Sequence, residues 1–93
     1  MSVENAPGHV KLYKAGRCPY CVAALRFLRE VKKVEVTEVD LTGDDQGRMD
    51  LVARAGGQRT VPQIWIGQTH VGGYDALRAL DAAGGLDPLL AQS

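Results

Sequence analysis

The chain carries no net charge, since eleven Lys and Arg balance eleven Asp and Glu. No overall field draws it to nucleic acid or to an anionic membrane, so its partner is expected to be small or chosen by a local patch. No apolar stretch approaches membrane-spanning length. The first eight residues include Glu4 and Asn5 and no apolar run, which argues against a signal peptide. Internal repeats, low-complexity tracts and linkers are missing as well. Cysteine is limited to Cys18 and Cys21, and histidine to His9 and His70. Two thiols and two isolated histidines do not make the closely spaced four-ligand set of a zinc site, so no metal is expected. A purely structural disulfide is a poor account too. So small a ring is assigned only about 2 kcal/mol, and small secreted domains usually carry several bridges.

What remains is 93 residues with 45% hydrophobic content, enough for one small globular domain of cytoplasmic type. Residues 1–8 are expected to be a flexible N-terminus and residues 9–93 a single domain, acting as a monomer.

Hydrophobic periodicity places the elements. His9 to Lys14 alternates, with Val10 and Leu12 on one face, and predicts a strand. From Pro19 to about Val31 a helix is expected, its apolar stripe made by Val22, Leu25 and Leu28 and widened by Ala24, Phe27 and Val31. Arg26, Arg29, Glu30 and Lys33 fill its solvent side. Val34 to Leu41 is rich in β-branched residues, and its apolar parity changes between Val36 and Val39, which suits a strand buried on both faces. Thr42 to Asp45 reads as a turn with acids suited to a helix start. Met49, Val52 and Ala55 then keep helical spacing until Gly56-Gly57. Val61 to Ile66 and Thr69 to Val71 are strands joined by a Gly67-Gln68 hairpin turn. Tyr74 to Ala83 is helical, Gly84-Gly85 stops it, and Asp87-Pro88 starts a last short helix. The order βαβαββα predicts an α/β fold: a parallel βαβ unit beside an antiparallel hairpin in one four-stranded mixed sheet, flanked by helices.

The two cysteines fall in Cys18-Pro19-Tyr20-Cys21, between the first strand and the first helix. Open α/β sheets tend to place their sites at such a strand end. Residues three apart share a helix face at a separation a disulfide can span, so the two thiols can join and part without moving the fold. Pro19 has no N–H and a preset φ, which fits the first helical position and leaves Cys18 at the N-cap. There, unpaired backbone N–H groups and the helix dipole favour the thiolate and lower the thiol pKa. Cys21, one turn further in, is expected to stay protonated. Cys18 is the expected nucleophile and Cys21 the resolving thiol.

On these residues the chain resembles the glutaredoxins of the thioredoxin fold, most closely the small bacterial glutaredoxin 3 type, over nearly its whole length. Cys18-Pro19-Tyr20-Cys21 matches the dithiol motif, Thr60-Val61-Pro62 the cis-proline loop, and Gly72-Gly73-Tyr74-Asp75 the glutathione-binding glycine pair. Gly84-Gly85-Leu86-Asp87-Pro88-Leu89 matches the tail of the bacterial type. The resemblance implies a glutathione-dependent oxidoreductase that reduces protein disulfides and protein-glutathione mixed disulfides. It implies glutathione contacts from Tyr20, Thr60, Val61, Pro62, Gly73, Tyr74 and Asp75. A cis Val61-Pro62 bond would turn the Val61 N–H and C=O towards Cys18, where an extended cysteinyl peptide pairs like an added strand. Gly72-Gly73 lets a carboxylate approach a helix N-terminus, and Asp75 suits the ligand's amino group. Tyr20 packs flat beside the ligand.

The basic residues near the loop, Lys14, Arg17 and Arg59, suit the two carboxylates of glutathione. The family usually has a lysine three residues before its first cysteine, whereas this chain has Ala15, which leaves that role to Lys14 or Arg17. Tyr74 stands where relatives often have a third cysteine. Two other functions use the same cysteines: a redoxin served by thioredoxin reductase, against which Gly72-Gly73 and Asp75 argue, and a glutathione-ligated iron-sulfur carrier, which Pro19 disfavours.

Overall fold

The computed structural model describes residues 7–92, so most of the expected flexible segment 1–8 lies outside the described residues. Four strands, β1 (Val10–Lys14), β2 (Val36–Asp40), β3 (Gln63–Ile66) and β4 (Thr69–Gly72), form one sheet in the order β2-β1-β3-β4. β1 runs parallel to β2 and antiparallel to β3, and β4 returns antiparallel to β3. The tight return between β3 and β4 needs a positive φ at Gly67, which is 59°. This is the mixed sheet expected from the order of elements.

Strand parity divides the core into two layers. Val10, Leu12, Ile64 and Ile66 point to one face and pack with Ala24, Phe27, Leu28, Leu77 and Leu86. The helices on that side are α1 (Pro19–Arg26), α3 (Tyr74–Ala82) and α4 (Leu86–Leu90). Tyr13 and Trp65 point the other way and pack with Leu41, Leu51 and Ala55, which seats α2 (Asp45–Arg54) on the opposite face. Arg54 donates to the Tyr13 hydroxyl at 2.8 Å and lies over the Trp65 ring, closing this smaller core at its rim.

Five local expectations differ in the structure. The helix beginning at Pro19 does reach Val31, but its last residues, Phe27–Val31, are π-helical. Lys32 N–H bonds Phe27 carbonyl, and Lys33, expected on the helix's solvent side, lies past its end with φ 60°. The buried stripe is Cys21, Ala24, Phe27 and Leu28, while Val22 and Val31 are each 61% exposed, because only one side of the helix meets the sheet. β2 is an edge strand and only half-buried; the parity change arises because Val36 packs into one core and Val39 into the other. Met49 is exposed, leaving Leu51 and Ala55 as the buried contacts of α2. The final helix starts at Leu86 after Gly85, with no side-chain cap from Asp87.

Candidate functional site

Cys18 is the N-cap of α1, with φ −142° and ψ 95°, and Pro19 takes the first helical position. The Cys21 N–H donates to Cys18 Sγ at 3.1 Å, so one free donor of the helix terminus is aimed at the sulfur. Cys18 and Cys21 are disulfide-bonded, with Cα atoms 5.2 Å apart. Their surroundings differ: Cys18 is partly exposed, and Cys21 is 2% exposed.

The loop that delivers Cys18 is tied to β2. Asp40 Oδ1 accepts from both the Thr42 N–H at 3.0 Å and the Thr42 hydroxyl at 2.6 Å, and Thr42 Oγ1 in turn accepts from the Gly16 N–H at 2.7 Å. These bonds to Thr42 hold the Asp40 carboxyl below its ordinary pKa. Neither Thr42 nor Asp40 was legible as a site residue, because the link spans 26 positions.

A second loop faces the first. The Val61-Pro62 bond is cis, and the Val61 carbonyl oxygen lies 3.4 Å from Cys18 Sγ. A cleft of about 380 Å³ opens here, lined by Tyr20, Gln58, Thr60, Val61, Pro62, Gly73, Tyr74, Asp75 and Ala76. The structure therefore brings Tyr20, the Thr60–Pro62 loop and the start of α3 into one concavity beside the dithiol. Gly72 has φ 111°, and a Cβ there would stand 3.1 Å from Ala76 Cβ, so a side chain is disfavoured on both counts. Gly73 is the N-cap of α3, and a Cβ on it would meet the Pro62 carbonyl oxygen at 3.4 Å. The Tyr20 and Tyr74 rings lie 6.1 Å apart and wall one side, with Arg78 donating to the Tyr74 hydroxyl at 2.9 Å. Asp75 is exposed in the first turn of α3.

The three basic residues singled out in the sequence do not line this cleft. Lys14 and Arg17 line a second cleft of about 380 Å³ with Cys18, Pro19, Cys21 and Asp40. Lys14 Nζ donates to Glu38 Oε1 at 2.7 Å, and this hydrogen bond raises the lysine's pKa. Arg17 is exposed. Arg59 is also exposed, and its carbonyl accepts from Arg48 of α2 at 3.0 Å. Ala15 packs against the Tyr13 and Trp65 core, where it offers no charge to Cys18.

Gln63 and Arg48 were missed altogether. Gln63 is wholly buried and Arg48 holds a loop carbonyl; the only signal for Gln63 was a polar residue leading an apolar strand. Neither histidine sits at the dithiol. His9 bonds Thr37 at 2.9 Å, and His70 stacks on Trp65, where burial lowers its pKa. Among the described residues, no cluster of three or more His, Cys, Asp or Glu could hold a metal ion.

A disulfide-bonded cysteine pair at a helix N-terminus, facing a cis-proline loop across the end of a β2-β1-β3-β4 sheet, defines a thiol-disulfide oxidoreductase of the thioredoxin fold. Residues 10–71 match the family model of glutaredoxin, and the chain belongs to that family and is like its bacterial glutaredoxin 3 type. It is 49% identical over 81 residues to the glutaredoxin of Pseudomonas aeruginosa, covering 87% of this chain and 94% of that protein. It is 45% identical over 82 residues to glutaredoxin 3 of Escherichia coli strain K12, covering 88% and 96%. Among solved structures, the buckwheat glutaredoxin-glutathione complex superposes with a TM-score of 0.74 at 26% identity, covering 87% of this chain and 74% of that one.

Proposed function

We propose that this protein is a glutathione-dependent oxidoreductase that reduces protein-glutathione mixed disulfides and protein disulfides in the cytoplasm, with Cys18 as nucleophile and Cys21 as resolving thiol. The observation that carries this reading is the single cleft that joins the Val61 carbonyl, 3.4 Å from Cys18 Sγ, to the N-terminus of α3 at Gly73. An extended cysteinyl unit attached to Cys18 pairs with the Val61 backbone as an added strand does. Its γ-glutamyl carboxylate then meets the free N–H groups and positive dipole end of α3, and Asp75 accepts from its amino group.

With a glutathionylated protein, the Cys18 thiolate attacks the glutathione sulfur and the protein leaves as a thiolate. A second glutathione thiolate attacks the same glutathione sulfur, releasing oxidised glutathione and the Cys18 thiolate. With a protein disulfide, Cys18 attacks one sulfur and releases the other as thiolate; Cys21 then attacks Cys18 Sγ and frees the remaining protein thiol. Two glutathiones restore the dithiol. The exposure difference suits this order, since the incoming sulfur can reach Cys18 and not Cys21.

Two measurements test it. Reduction coupled to glutathione and glutathione reductase should run well, and the same reaction coupled to thioredoxin reductase should not. A structure of Cys21→Ser trapped with glutathione should show the tripeptide along Thr60-Val61-Pro62 with its γ-glutamyl end at Gly73, Tyr74 and Asp75. A ligand lying away from Val61 and Gly73 would refute the site.

A further inference from the structure

Gln63 is 0% exposed and is the buried polar side chain of the described core. It follows Pro62 directly and opens β3, whose other members are Ile64, Trp65 and Ile66. Its Nε2 donates to the Thr60 carbonyl at 3.0 Å and to Gln58 Oε1 at 3.2 Å, with a longer contact of 3.5 Å to Thr60 Oγ1. Its Oε1 lies 2.7 Å from His70 Nε2. The Thr60 carbonyl can only accept, so the amide has one workable orientation, nitrogen towards the loop. Oε1 then requires a donor, and His70 supplies Nε2–H. Stacking on Trp65, with ring centroids 4.4 Å apart, keeps the imidazole in place for that bond.

The loop is thus held from beneath at two consecutive carbonyls, Arg59 by Arg48 and Thr60 by Gln63. The next carbonyl, that of Val61, is the one that faces Cys18. We propose that Gln63, oriented by His70, is a positioning residue that sets the Val61 backbone at the height where it pairs with the cysteinyl unit of a glutathione joined to Cys18. This rests on the glutathione reading given above. An aliphatic side chain would fill the same volume in β3 but would leave the Thr60 carbonyl without this donor and free to turn, and the loop's register with it.

The test uses single-turnover reaction of the reduced Cys21→Ser protein with one peptide carrying either a glutathione or a mercaptoethanol mixed disulfide. The parent should react faster with the glutathionylated peptide. Gln63→Leu should lose about tenfold on that peptide, the effect of one well-placed hydrogen bond, and stay within about twofold on the other. His70→Phe keeps a ring on Trp65 and removes only the donor, so it should lose part of the same preference, about threefold; it also carries the test if Gln63→Leu does not fold. Equal losses on both peptides, or no loss on either, would overturn the positioning role while leaving glutathione use intact. A parent that reacts equally with both peptides would overturn the glutathione reading, and this inference with it.

Discussion

Lys14 and Glu38 are joined by a 2.7 Å ion pair across the parallel β1 and β2 strands, and the other Glu38 oxygen accepts from Arg29 at 2.7 Å. Lys14 lines the cleft that contains Cys18, yet its ammonium is held on a carboxylate. Ala15, three residues before Cys18, is partly buried against the Tyr13 and Trp65 core and offers no charge. With Lys14 so held, we expect the helix terminus rather than Lys14 to favour the Cys18 thiolate, with exposed Arg17 of the same cleft a lesser contributor.

Reduced Cys18 should accordingly titrate well below a free thiol, and it should do so without help from Lys14. Thiolate absorbance followed against pH should give nearly the same midpoint for the parent and Lys14→Ala, and a small shift for Arg17→Ala. A return to the ordinary thiol value in Lys14→Ala would show that the side-chain cation dominates.

Cys18→Ser should abolish all thiol exchange. Cys21→Ser should keep deglutathionylation and lose most reduction of intramolecular protein disulfides, since only the second reaction needs a resolving thiol. Comparing both variants on a glutathionylated peptide and a protein disulfide checks this; equal loss of deglutathionylation in the two would reverse the assigned roles.

Asp75→Ala should lower the efficiency on glutathionylated substrates about tenfold, the value of a charged hydrogen bond near 1.5 kcal/mol at an exposed position. Single-turnover reduction of a disulfide lacking glutathione by the dithiol form should change little.

The Glu38 cluster also fixes a pH dependence of stability. Hydrogen bonds from Lys14 and then Arg29 lower the Glu38 pKa, and the bond to Glu38 raises that of Lys14. A lowered carboxyl stabilises the fold above its unfolded value and loses that contribution as pH falls through the folded one. A raised ammonium contributes fully below its unfolded value and loses it as pH rises through the folded one. Urea melts of Glu38→Gln should therefore fall below the parent near neutral pH by no more than about 1 kcal/mol, as expected for solvent-screened pairs. The two should converge only once the pH has fallen through the lowered, folded-state pKa of Glu38; a gap that persists below it would assign the loss to packing instead.

Much of the site could be read from local chemistry. A proline after Cys18 can only begin a helix, a two-residue turn at Gly67-Gln68 can only close a hairpin, and Gly72 takes a φ of 111° where any side chain would meet Ala76. These are constraints a residue carries with it, and they located the dithiol, the hairpin and the glycine pair before α3, whereas the facing Thr60-Val61-Pro62 loop was implied by the resemblance to glutaredoxins. Strand parity did the same for Val10 and Leu12 against Ile64 and Ile66.

Other features depended on which elements became neighbours. Val22 and Leu28 share an apolar character, but only the side of α1 that meets the sheet is buried, which leaves Val22 in solvent. β2 reads as a strand buried on both faces from its β-branched residues but is only half-buried at the sheet edge, where among the described residues it pairs with β1 alone. Lys14 found its carboxylate 24 residues away, Thr42 met Gly16, and Gln63 met His70 across a hairpin. Sequence by itself determined the dithiol, its helix cap and the order of elements, since these follow from steric and capping preferences acting over a few residues. Only the tertiary structure decided which charge stands near Cys18 and what holds the Val61 loop, because a hydrogen bond or ion pair acts over a few ångströms and its partner is chosen by the packing of the sheet.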